Sequence, residues 1–140
     1  MKKVFIILFF FLTSISSANT ETKRIISGNK NAKVTIIAYE SLTCSHCADF
    51  HKNIYPLLKK DYIDTGLAKI EFRHFPLDIA ALNASKIAQC NIDQSLEILE
   101  SLYDNQQSWV KGNTVEKINK NLKKFIEDQG FKLNFEKCIN

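Results

Sequence analysis

Residues 33–60 read KVTIIAYESLTCSHCADFHKNIYPLLKK. The first seven, KVTIIAY (33–39), are β-branched and almost continuously apolar, which predicts a central strand buried on both faces. From about Cys44 to Lys60 the apolar residues switch to helical spacing. Phe50, Ile54, Leu57 and Leu58 form the expected buried stripe. Pro56 lies inside this helix and predicts a kink. On the same spacing His51 falls on the exposed face. Two cysteines, Cys44 and Cys47, therefore stand where a buried strand gives way to a helix.

Working outward, DTG (64–66) ends the helix, and AKIEFRHF (68–75) alternates Ala68, Ile70 and Phe72 with Lys69, Glu71 and Arg73. That alternation predicts a half-exposed strand. Upstream, RIIS (24–27) offers at most a short edge. The order strand, helix, strand implies a parallel pair and an α/β layout. Beyond it the chain reads as helical. Asp78 to Cys90 carries Ala80, Ala84, Ile87 and Ala88 on one side, and Gln94 to Tyr103 carries Leu96, Leu99, Leu102 and Tyr103. From Asn113 to Asp128 one face holds Val115, Ile118, Leu122, Phe125 and Ile126. Asn113 is the expected cap, with Glu116 three residues on, and Gly130 suits the exit.

Composition narrows the function classes. Gly (4) and Pro (2) are scarce in 140 residues, which argues against a loop-rich or disordered chain. The formal charge is +4, with 19 basic and 15 acidic side chains. Two of those lysines, Lys2 and Lys3, precede an apolar run from Val4 to Leu12, with Ser16 and Ala18 placed for cleavage after Ala18. Residues 1–18 thus read as a secretory signal peptide. What remains is too weakly basic to favour nucleic acid as a partner. An exported chain works where disulfides persist.

The four cysteines, Cys44, Cys47, Cys90 and Cys138, divide into two kinds. A zinc site usually needs a second close pair of ligands, and Cys90 lies 43 residues beyond Cys47. His46, His51 and His74 are the further candidate ligands for that metal alternative. A staple within Cys44–Cys47 would constrain little of the unfolded chain. A redox pair fits the placement. Cys44 at a helix N-terminus faces unpaired N–H groups that stabilise a thiolate, and His46 adds positive charge or a hydrogen bond. Cys47, one turn inside, is the expected resolving thiol. Were Cys44 to titrate near ~4, the reduced form would gain about 4 kcal/mol at pH 7, or roughly 90 mV towards an oxidising potential. Cys90 and Cys138 lie in no activating surroundings. A bridge between them would contribute roughly 4 kcal/mol through loop closure, and the alternative is two free buried thiols.

VTIIAYESLTCSHCADFH (34–51) resembles the active-site strand and helix of the DsbA-like protein-disulfide oxidoreductases, and FRHFPLD (72–78) is similar to that family's segment leaving its second strand. The resemblance runs from about residue 25 to the end. It implies a thioredoxin-like βαβ part over 19–77 and a helical insertion over 78–140. It also implies that Cys44 is the attacked sulfur, Cys47 its resolving partner and Ser45–His46 the tuning dipeptide. Ser45 stands where the family commonly has proline. A pair placed like Cys90 and Cys138 forms a structural disulfide in one branch. The implied activity is a periplasmic thiol oxidase that hands its disulfide to unfolded exported proteins with cysteines and is reoxidised by a membrane quinone-linked partner, without metal or cofactor. The family's cis-proline loop and C-terminal strands have no counterpart up to Asn140, so the expected fold lacks those strands. The alternatives are an inactive relic of such an enzyme and, more remotely, a metal-binding module.

Overall fold

The computed structural model describes residues 23–140. The expected signal peptide, residues 1–18, lies outside the described residues. Ile25–Gly28 (β1), Val34–Glu40 (β2) and Ala68–His74 (β3) form one sheet in the order β1-β3-β2. β2 and β3 run parallel, with Ile36 opposite Ile70 and Ala38 opposite Phe72, as a strand–helix–strand order requires. β1 pairs antiparallel on the far side of β3, with Ile25 opposite Phe72.

The middle strand is therefore β3, not β2, and two expectations change with it. β3 read as half exposed, yet Ala68, Ile70 and Phe72 are buried and so is Glu71, at 3% exposure. Arg24 and Arg73 bond its carboxylate at 3.3 and 2.6 Å. The Arg73 hydrogen bond, outweighing burial, holds its pKa below the usual carboxylate range. A buried charge paired in this way is tolerated, and alternation in the sequence does not show the pairing. β2 read as buried on both faces. Among the described residues only β3 pairs with it, and Val34, Ile37 and Tyr39 are exposed. Ile37 and Tyr39 point to one face; Ile36 and Ala38, on the same face as Val34, pack on the core.

From Ser45 to Ile63 the chain is helical but uneven. Ser45–Asp49 (α1) leads into a π-helical turn at Phe50–Ile54, then Tyr55–Leu58 (α2) and a second π-helical turn at Lys59–Ile63. Pro56 has no N–H, and its ring would collide with the carbonyl of Lys52 in a regular helix. The wide turn ahead of it, closed by Tyr55 N–H on Phe50 O, absorbs that defect. Each wide turn holds an extra residue, so the buried stripe rotates. His51, Tyr55 and Ile63 are buried, whereas Ile54 and Leu57 are exposed and Phe50 and Leu58 are half-buried. His51 was expected on the surface; it is 4% exposed.

The remaining helices follow the pattern more closely. Ile79–Cys90 (α3) starts at Asp78, whose Oδ1 accepts from the Ala81 N–H at 2.7 Å. It buries Ala80, Ala84, Ile87 and Ala88. Ser95–Asp104 (α4) buries Ile98, Leu99, Leu102 and Tyr103 and leaves Leu96 half-buried. Gln106–Trp109 (α5) is too short to show a period. Its Trp109 is fully buried and donates Nε1–H to Leu102 O at 2.9 Å. Val115–Asp128 (α6) buries Leu122, Phe125 and Ile126. Its cap is Thr114, not Asn113: Thr114 is the extended residue, and its Oγ1 accepts from Lys117 N–H. Gly130, at φ 75°, makes the left-handed exit. Phe135–Ile139 (α7) ends the chain's described structure. Sheet and helices share one apolar cluster, which includes Ile70 and Phe72 from β3 with Leu99 and Leu102 from α4.

Candidate active site

Ser41–Cys44 is the bend between β2 and α1. Cys44 N–H closes on Ser41 O at 3.0 Å, and Cys44 O accepts the first helical bond, from Ala48 N–H at 3.2 Å. Cys44 is the extended residue ahead of the helix (φ −77°, ψ 120°), and no side chain caps the N-terminus. Hydrogen bonding from the Cys47 N–H lowers the Cys44 pKa most, and the Cys47 thiol and His46 N–H act in the same sense. Burial and the Asp49 charge oppose them. Cys47 moves the other way. Burial pushes its thiol up, and the charges of Cys44 and Glu40 add to that, against a lowering hydrogen bond from the Ser41 backbone. Two thiols three residues apart are thus split into an acidic member and a reluctant one. Both are half-buried and unbridged.

Ser45 and His46 are the dipeptide expected to tune the pair. His46 contributes through its main-chain N–H, while the residue itself is exposed, as is Ser45. Beside the pair lies an open depression of about 280 Å³ lined by Ala38, Tyr39, Glu40, His46, Cys47 and Phe50.

Beneath Cys47 sits a polar cluster that pattern reading missed. Glu40 is 6% exposed, and its carboxylate meets His51 Nε2 at 2.8 Å. The His51 ring stacks on Tyr103, with centroids 4.0 Å apart. His51 Nδ1 and the Tyr103 hydroxyl are enclosed without hydrogen-bond partners. Burial first, then the charges of Glu40, Cys47 and Cys44, push the Tyr103 phenol above its ordinary value. One signal was available: His51 stands four residues after Cys47 and so shares its face. Nothing comparable marked Glu40 or Gln106. Gln106, 4% exposed in α5, donates from Nε2 to Leu42 O and to Cys44 O, both at 2.9 Å.

Cys90 and Cys138 are joined by a disulfide with Cα atoms 5.5 Å apart, which links the end of α3 to α7. His74, a candidate metal ligand from the sequence, is half-buried with its Nε2 enclosed and unpartnered. Among the described residues no three His, Cys, Asp or Glu side chains are grouped so as to hold a metal ion. No helix among them is long and apolar enough to cross a membrane.

Residues 19–140 match the family described as Thioredoxin. A Rickettsia typhi protein named "Putative protein-disulfide oxidoreductase" is 31% identical over 104 residues, which is 73% of this chain and 38% of that protein. Disulfide bond formation protein D of Bacillus subtilis is 26% identical over 121 residues, covering 80% of this chain and 54% of its own. Among solved structures, alpha-DsbA1 of Wolbachia pipientis superposes with a TM-score of 0.73 at 32% identity, over 84% of this chain and 59% of that one. The chain thus spans between 38% and 59% of the length of these relatives.

Proposed function

The chain belongs to the thioredoxin family, on its DsbA-like branch, and from that premise we propose that it is a thiol:disulfide oxidoreductase acting through Cys44 and Cys47. The observation that carries this reading is the seating of the pair: Cys44 is the extended residue ahead of α1 and Cys47 lies inside it, both unbridged, with backbone N–H groups lowering the Cys44 pKa and burial raising that of Cys47. In the oxidised protein a substrate thiolate attacks Cys44 Sγ. The Cys44–Cys47 bond breaks, and Cys47 leaves and takes up a proton. The substrate's second thiolate then attacks its own sulfur in the mixed disulfide and expels Cys44 as a thiolate. Two electrons pass from the substrate dithiol to the pair, and the substrate leaves with a disulfide. A stabilised Cys44 thiolate is a good leaving group, so the protein acts as an oxidant.

The substrates in this reading are unfolded exported proteins with paired cysteines, met in the periplasm after residues 1–18 are removed. A membrane quinone-linked partner restores the disulfide. Residues 19–77 supply the redox pair, residues 78–140 form the helical part around it, and Cys90–Cys138 is structural. The test is equilibration of the purified protein with glutathione. A potential near −120 mV is expected, and one near −270 mV would make it a reductase instead. A folded protein that leaves a dithiol peptide reduced would instead support the relic reading.

A further inference from the structure

The redox loop is held from outside its own strand and helix, and one contact stands apart. The Gln106 side-chain amide reaches from α5 across 62 residues of sequence to Cys44 O. Its Nε2 supplies one hydrogen to Leu42 O and one to Cys44 O, each at 2.9 Å. The two carbonyls straddle Thr43, at the bend where strand becomes helix. The amide is seated one way only, because the flipped orientation would set its oxygen against two carbonyl oxygens. Both donors are used in a buried setting, where an unmet donor or acceptor is costly. The helix that carries Gln106 is anchored in turn by fully buried Trp109. The loop's other link to the helical part, Thr43 Oγ1 to Asp78 Oδ2 at 2.7 Å, is solvent-exposed.

Resting on the reading of Cys44–Cys47 as a redox pair, we propose that Gln106 is a positioning residue for thiol–disulfide exchange: from the helical part it fixes the main-chain bend that carries Cys44. The route runs through one peptide plane. Cys44 O receives both the first helical bond and the Gln106 bond. Fixing that carbonyl fixes the Cys44–Ser45 peptide and, with it, the aim of the His46 and Cys47 N–H groups. Those are the groups that lower the Cys44 pKa. Gln106 touches no sulfur and no substrate; it acts through the backbone. Its removal leaves two carbonyls short of a donor, and the bend relaxes towards other partners.

The test uses the whole chain with Gln106→Met, which keeps the length and removes the donors, and Gln106→Asn, which keeps the amide on a shorter arm. The readouts are the pH midpoint of Cys44 alkylation, the equilibrium constant with glutathione, and the melting temperature. In Gln106→Met the midpoint is expected to rise by about one unit and the reduced form to lose about tenfold in its equilibrium with glutathione. Gln106→Asn is expected to shift both in the same direction by less, and it carries the test alone if the Met variant does not fold. A lowered melting temperature with midpoint and equilibrium unchanged within twofold would make Gln106 structural only and overturn the inference. A wild-type protein whose Cys44 alkylates with an ordinary midpoint, and which exchanges no disulfide with glutathione, would overturn the functional reading and the inference with it. A displaced wild-type midpoint and an undisplaced variant would sink the inference alone.

Discussion

At the scale of the residue, the site depends on burial, aided by nearby charges, to disfavour one thiolate and on backbone donors to favour the other. Glu40 is the charged side chain outside the pair that acts on Cys47. Its charge adds to the rise, behind burial and the Cys44 thiol. Glu40→Gln keeps the shape and removes the charge, so the Cys47 midpoint is expected to fall. The measurement is alkylation against pH in a Cys44→Ser background, where Cys47 is the one unbridged thiol. An unmoved midpoint would assign the rise to burial alone. His74 gives a second prediction, for stability. Burial pushes its imidazole down to about 4, against ~6.5 in an unfolded chain. Between those values the unfolded chain binds the proton and the folded one does not. The stabilisation is complete above pH ~6.5 and is lost as the pH falls to ~4, by about 3 kcal/mol. Urea midpoints measured from pH 7 down to 4.5 should therefore decline in the wild type and decline less in His74→Leu. Equal slopes would move the acid sensitivity to other groups. Of these residues, Cys44 and Cys47 are legible in the sequence because their partners are neighbours. Glu40 and Gln106 are not, because theirs lie 11 and 62 residues away.

At the scale of the element, legibility follows how far a segment obeys its own period. α6 keeps the 3.6-residue period for 14 residues, and its face is where the sequence places it. The stretch after Cys44 does not keep it: two π-helical turns re-aim its side chains, so a period-based reading buries Ile54 and Leu57 and exposes His51. β2 and β3 were interchanged for another reason. A strand's composition records its β propensity but not how many strands flank it. The helix caps allow a quantitative comparison. Asp78 caps α3 through Oδ1 and holds Thr43 of the redox loop through Oδ2. Thr114 caps α6 with a single 3.2 Å bond. Thr114→Ala is expected to cost about 0.5–1 kcal/mol, and Asp78→Ala about 1–2 kcal/mol because two bonds go at once. Chemical denaturation of the two variants decides this, and equal losses would mean that the Thr43 bond adds nothing to stability.

At the scale of the whole molecule, the question is what keeps one apolar cluster closed around so small a sheet. Three strands are few, and β2 offers an unpaired edge among the described residues, with Val34, Ile37 and Tyr39 exposed beside it. The net stability of a domain this size is small, on the order of 5–15 kcal/mol. The Cys90–Cys138 bridge acts against that background. It closes a sequence separation of 48 residues and fastens α7 to α3, where Lys86 Nζ also donates to Ile139 O at 2.7 Å. Removing it from the unfolded chain's constraints costs roughly 4 kcal/mol, a large share of the total. A Cys90→Ser/Cys138→Ser double variant is therefore expected to melt on the order of 10–15 °C lower. The same variant should leave the alkylation profile of Cys44 unchanged, because neither cysteine touches the bend at 41–44 or its hydrogen bonds to Gln106 and Asp78. Melting and alkylation measured on one sample separate the two roles. A displaced Cys44 profile would show that the second disulfide reaches the redox pair through the helices, and an unchanged melt would show that packing of Phe135 against the core already holds α7 in place.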